Sequence, residues 1–214
     1  MKSHAHALSR FGLRNDGGAD ADSGLVVSGG GDAANETGGY AGTPDCATYC
    51  AQIMANCSGV ALQYSTQASC EATCATFPVG SITDTSGESV GCHQHHAALA
   101  QSKPASECAS AGPTGGDIDV SDTTAGTCGE GCATFCALAQ AACTGPNQQF
   151  ADQPTCMNAC KTFPALETPP YTTDDNARND WGCRMYHLTV AADSPANAAT
   201  HCAHIVSASA VCTL

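Results

Sequence analysis

From residue 46 onward, apolar positions fall at helical spacing. Cys46, Cys50, Ile53 and Cys57 follow one another at i, i+4, i+7 and i+11, which places them on one face of an α-helix, and Cys132, Cys136, Ala139 and Cys143 do the same. Asp45 stands where it caps the first of these helices, and Gly59 and Gly145 stand where they are predicted to end. Cys70, Cys74 and Phe77 mark a second helical face that Pro78 terminates, and Cys156, Cys160, Phe163 and Pro164 repeat it. Cys92, His96 and Leu99 predict a third helix, matched by Cys183, His187 and Val190. Ser194 and Pro195 read as N-cap and first turn of a fourth helix carrying Cys202. Residues 79–89 and 165–179 are expected to be long loops.

The same pattern occurs twice. Cys46, Cys50, Cys57, Cys70 and Cys74 return, each 86 residues later, as Cys132, Cys136, Cys143, Cys156 and Cys160, and 15 of the 33 aligned residues between 46–78 and 132–164 are identical. Beyond that block the order holds while the spacing loosens: Cys92 answers to Cys183, Cys108 to Cys202 and Cys128 to Cys212. The expected organisation is therefore a linker over 1–44 and two eight-cysteine repeats over 45–128 and 129–214. Each repeat is read as a small, mainly α, disulfide-rich unit built on a helical hairpin with long loops. In an antiparallel hairpin the residues nearest the turn face each other. That reasoning predicts Cys57–Cys70 with Cys50–Cys74 in the first repeat and Cys143–Cys156 with Cys136–Cys160 in the second. Cys46 is then expected to pair with Cys92 and Cys108 with Cys128.

Composition changes the picture in two ways. Aromatic residues make up only 5% of the 214, so covalent staples must replace part of the burial that large side chains normally supply. The 16 cysteines include no Cys-x-x-Cys pair, which removes the usual signature of zinc ribbons, iron–sulfur ligation and thioredoxin-like chemistry. An oxidising compartment is what remains: periplasm, cell surface or medium. Residues 1–15 lack the apolar run of a signal peptide, so the export signal is expected upstream or already removed. Residues 15–44 are Gly, Asp, Ser and Ala around Leu25-Val26-Val27, a composition that cannot bury enough surface to fold and reads as a disordered tether. Asp16, Asp20 and Asp22 in that stretch lack the spacing of a calcium loop.

The formal net charge is -13, and beyond the first 15 residues the only cations are Lys103, Lys161, Arg178 and Arg184. Such a surface repels nucleic acid and anionic lipid. No stretch is long and apolar enough to span a membrane, and no nucleophile elbow, phosphate loop or zincin helix is present, so no enzymatic activity is expected.

Histidine is the remaining candidate chemistry. His187 stands four residues after Cys183 on the inward face, and His201 and His204 are one turn apart on the next helix. If those helices pack, three imidazoles converge, which suits a metal ion or haem iron. In the first repeat only His96 takes the matching inward position, because Glu107 and Ser110 replace the other two; His93 and His95 are read as a solvated face. His4 and His6 read as incidental, and Phe163, Trp181 and Tyr186 as core anchors.

The run Cys-x3-Cys-x6-Cys-x12-Cys-x3-Cys, with Gly-Cys-Arg-Met-Tyr-His at 182–187 and His-Cys-Ala-His at 201–204, resembles cysteine-rich tandem-repeat exported lipoproteins of Gram-negative bacteria over about residues 40–214. The resemblance implies export and a spacer role for the N-terminal tether, and assigns no activity. The twin Cys-x3-Cys arrangement is also similar in local geometry to disulfide-linked helical hairpins of the mitochondrial intermembrane space. Two functions follow as expectations: a non-enzymatic secreted or cell-surface scaffold that binds a protein or surface partner or self-associates, or an extracytoplasmic metal or haem carrier using His187, His201 and His204.

Overall fold

The computed structural model describes residues 42–213, so most of the expected tether, with His4, His6, Asp16, Asp20 and Asp22, lies outside the described residues. Among the described residues there are eight α-helices, in order: α1 Cys46–Asn56, α2 Gln67–Cys74, α3 Val90–Leu99, α4 Pro104–Ala111, α5 Gly131–Ala142, α6 Gln153–Cys160, α7 Trp181–Asp193 and α8 Pro195–His201. Among the described residues the β-structure is limited to one isolated bridge between Gly126 and Gly129. The expected mainly helical, disulfide-rich class is what the chain adopts.

Local chemistry accounts for the helix starts. The Asp45 carboxylate accepts from the Thr48 backbone N–H at 2.9 Å, and Ser194 caps α8 ahead of Pro195. The helix ends come earlier than the glycines suggest. α1 stops at Asn56 with Cys57 as its C-cap, and Gly59, at φ +59°, opens a separate 3-10 turn; Gly145 does the same after α5. Likewise α2 stops at Cys74, leaving Phe77 to reach the core from the following turn. α4 was not anticipated, although Pro104 marks its first turn as Pro195 marks that of α8.

All 16 cysteines are paired, and every bridge closes within 45–128 or within 129–214. The partners differ from those expected. Cys46 bonds Cys74 and Cys50 bonds Cys70, while Cys57 reaches Cys108 and Cys92 reaches Cys128. The second segment follows suit with Cys132–Cys160, Cys136–Cys156, Cys143–Cys202 and Cys183–Cys212. The reason is register. Two residues one turn apart on α1 face two residues one turn apart on α2, and continuing that register opposes Cys57 to Gln63, in the loop before α2. Cys57 lies past the end of its helix and turns instead to α4. Loops of 20 to 59 residues closed in this way each restrict the unfolded chain by about 3–4 kcal/mol.

Two apolar clusters fill the spaces between the bridges. One gathers Tyr49, Ile53, Tyr64, Phe77, Val90 and Ala97. The other gathers Phe135, Leu138, Phe150, Phe163, Trp181, Met185, Leu188 and Ile205, and it takes in Val120 from the preceding segment. The segments also meet through hydrogen bonds: Thr173 N–H donates to the Leu62 carbonyl at 2.9 Å, Gln63 Nε2 to the Tyr171 carbonyl at 2.9 Å, and the Trp181 indole to the Ile118 carbonyl at 3.2 Å. Phe163 and Trp181 are the anchors expected of them, whereas Tyr186 is only half-buried.

Candidate metal centre

α7 starts where the Asp180 carboxylate accepts from the Cys183 backbone N–H at 2.9 Å. One turn on, the helix presents His187 on the same inward face as Cys183. α8 then ends at His201, and the 3-10 turn over Cys202–His204 carries His204. Both elements are pinned covalently beside the histidines, α7 through Cys183–Cys212 and the α8 end through Cys143–Cys202.

This brings the three imidazoles together. Nδ1 of His187 lies 2.8 Å from Nδ1 of His201 and 3.4 Å from Nδ1 of His204, and one nitrogen from each ring lies within 4.8 Å of the others. The His187 and His201 rings stack at 5.1 Å, while His204 stands edge-on to both. His187 is buried and the other two are half-buried, so the group opens to solvent on one side.

The tautomer of His187 follows from its second nitrogen. Nε2 lies 3.1 Å from the Asn176 carbonyl, which can only accept, so Nε2 carries the proton and the Nδ1 lone pair faces the other rings. A backbone carbonyl orienting an imidazole in this way is the usual outer support of a metal-ligating histidine. Burial, then the neighbouring His204 and His201, push the His187 pKa down to about 4. Burial and His204 also lower that of His201. Both are neutral at pH 7, the form in which imidazole binds metal.

The first segment repeats the frame without the cluster. His96 lies four residues after Cys92 on α3, and its Nε2 approaches the Thr85 carbonyl at 3.2 Å, as His187 approaches Asn176. Its Nδ1, however, meets Oε2 of Glu107 at 2.6 Å. Glu107 precedes Cys108 as His201 precedes Cys202, so a carboxylate occupies the place of the second imidazole. Ser110, at the position of His204, is buried.

One expectation is overturned. His93 is not solvated: it is fully buried, stacked on Phe77 at 4.2 Å, with Nδ1 3.1 Å from the Ala111 carbonyl and no partner for Nε2. α3 packs against both α1 and α4, so it buries a broad face through Val90, His93, Gln94 and Ala97 and leaves Leu99 exposed. His95 is half-buried. In the second segment Arg184 takes the place of His93. Its guanidinium lies 4.7 Å over the Phe163 ring and donates to the carbonyls of Asp180, Val206 and Ser207 and to Oδ1 of Asn179. Composition marks Arg184 only as one of few cations, whereas the shared Gly-Cys before Arg184 and before His93 identifies the two as equivalent positions.

Residues 33–123 match the family model of the BfoA family C-terminal domain. That stretch is similar to the domain and holds most of the first segment, including His96 and Glu107, but not the three-histidine group. No curated protein and no solved structure matches the chain.

Proposed function

We propose that this protein is a non-enzymatic, extracytoplasmic binding module whose disulfide frame holds a divalent transition-metal ion at His187, His201 and His204. The observation that carries the reading is the convergence of three Nδ1 atoms, with 2.8 and 3.4 Å between His187 and its neighbours. Nitrogens bound to one tetrahedral ion at about 2.1 Å stand about 3.4 Å apart, so the apo group is already close to ligand spacing. With the His187 Nδ1 lone pair turned inward, the 2.8 Å contact is a hydrogen bond donated by His201 Nδ1–H, and an ion bound at that point would take the place of that proton. Imidazole nitrogens favour zinc, copper or nickel over calcium and magnesium, which take oxygen.

A bare ion fits better than haem. Haem iron takes axial ligands on opposite faces of the porphyrin, whereas these nitrogens approach one point within 4.8 Å of each other. Eight disulfides favour a place outside the cytoplasm, and no helix among the described residues is long and apolar enough to cross a membrane.

Calorimetric titration of the oxidised protein with zinc or copper(II) tests the proposal. One ion per chain is expected, lost in His201→Ala/His204→Ala with the disulfide map unchanged. Absence of stoichiometric binding would leave a plain disulfide scaffold that binds or self-associates through its surface.

A further inference from the structure

The disulfide Cys183–Cys212 lies beside the three histidines. Sγ of Cys183, Sγ of Cys212 and one nitrogen of His187 all lie within 4.8 Å of one another. His187 therefore belongs to two groups at once, one of three imidazoles and one of an imidazole and a cystine. Sγ of Cys212 also sits 3.7 Å from the His204 carbonyl, so the bridge and the turn that carries His204 are in contact. The arrangement is built into the fold, since Cys92, His96 and Cys128 form the same group in the first segment.

We propose that Cys183–Cys212 is a redox-linked part of the metal site, and that its reduction creates a Cys183–His187–Cys212 site with higher zinc affinity than the three-histidine site. The inference rests on the reading of His187 as a ligand. Reduction is balanced by thiol exchange: two molecules of a monothiol such as glutathione give up two electrons and two protons, the S–S bond becomes two thiols, and the monothiol leaves as its disulfide. Zinc then displaces the two thiol protons and binds both thiolates. Two anionic sulfurs with one imidazole make a softer, more negative donor set than three neutral nitrogens, and tetrahedral Zn–S bonds of about 2.3 Å need only a modest separation of the two sulfurs. The metal and the reductant are coupled reciprocally: whatever factor reduction adds to zinc affinity, zinc adds to the equilibrium for reduction.

The experiment equilibrates the full chain in glutathione buffers of graded potential with and without saturating zinc, traps free thiols by alkylation and reads each cysteine by peptide mass. Zinc is used because it is redox-inert. Cys57–Cys108 serves as the control within the same molecule, since it belongs to no such three-ligand group among the described residues. The expected result is a rise in the Cys183–Cys212 midpoint of about 60 mV, which corresponds to about a hundredfold tighter zinc binding by the reduced form at about 30 mV per tenfold. No shift, a downward shift, or an equal shift at Cys57–Cys108 overturns the inference. Zinc binding to the oxidised protein is measured separately: binding there without a shift sinks this inference alone, whereas a shift without such binding upholds it and sinks the three-histidine reading.

Discussion

Lowering the pH should destabilise the protein through His93, and the size of the effect can be worked from its surroundings. The ring is fully buried against Phe77, its Nδ1–H donates to the Ala111 carbonyl, and Nε2 has no partner. Burial pushes its pKa from 6.5 down to about 4. Between those values the unfolded chain takes up a proton at this position and the folded chain does not. Stability is therefore unaffected by His93 above pH 6.5, falls as pH drops below it, and levels off below about pH 4. At about 1.4 kcal/mol per pH unit the loss approaches about 3 kcal/mol at pH 4. The assay is urea unfolding of the disulfide-intact protein at pH 7 and pH 4, followed by circular dichroism, for the parent and for His93→Gln. Glutamine keeps a flat, polar group against Phe77 and does not titrate, so the variant should lose about 3 kcal/mol less on acidification. Other acid-sensitive groups, His187 among them, are common to both proteins and cancel. Equal losses in parent and variant, or an NMR titration of His93 at or above pH 6.5, would show that burial of His93 is not what makes the fold acid-sensitive.

Full reduction should raise the intact mass by about 16 Da, two hydrogens per bridge, and peptide mapping should recover Cys46–Cys74, Cys50–Cys70, Cys57–Cys108 and Cys92–Cys128 in the first segment. Tyr49→Phe removes a buried hydroxyl that donates to the Ala111 carbonyl at 2.6 Å and meets the Tyr64 hydroxyl at 2.9 Å, so urea unfolding should show a loss of about 1–3 kcal/mol. Asp180→Ala removes the cap of α7 and the acceptor for the Glu167 N–H, and should cost about 1–2 kcal/mol by the same assay.

Several of these features were legible in the sequence for plain reasons. Asp45, Ser194 and Pro195 act through the residues next to them, so their capping roles depend on nothing distant. The equal cysteine spacing before residues 78 and 164 announces hairpins of one design. The hairpin pairing was legible in spacing that nearness to the turn overrode: Cys46 and Cys50 are four residues apart, as are Cys70 and Cys74, so those two pairs match in register, whereas Cys50 and Cys57 are seven apart and do not; the reach of Cys57 to Cys108 depends on α4, which no cysteine spacing places. The convergence of His187, His201 and His204 followed from i, i+4 logic plus one assumption, that α7 and α8 pack together. His93 was misplaced because a run of histidines suggests solvent, whereas a helix packed on two sides buries more of its circumference than one stripe can show. The role of Arg184 depends on carbonyls more than 20 residues away at Val206 and Ser207, which no local pattern reveals.

In the proposed site three imidazole nitrogens, held by a covalent frame, bind one metal ion. X-ray absorption of the oxidised, zinc-loaded protein tests it most directly. A first shell of three imidazole nitrogens at about 2.0–2.1 Å with one further light ligand is expected, with that signature lost in His201→Ala/His204→Ala. A shell of oxygen ligands with at most one imidazole, or a spectrum unchanged in the double variant, would contradict it.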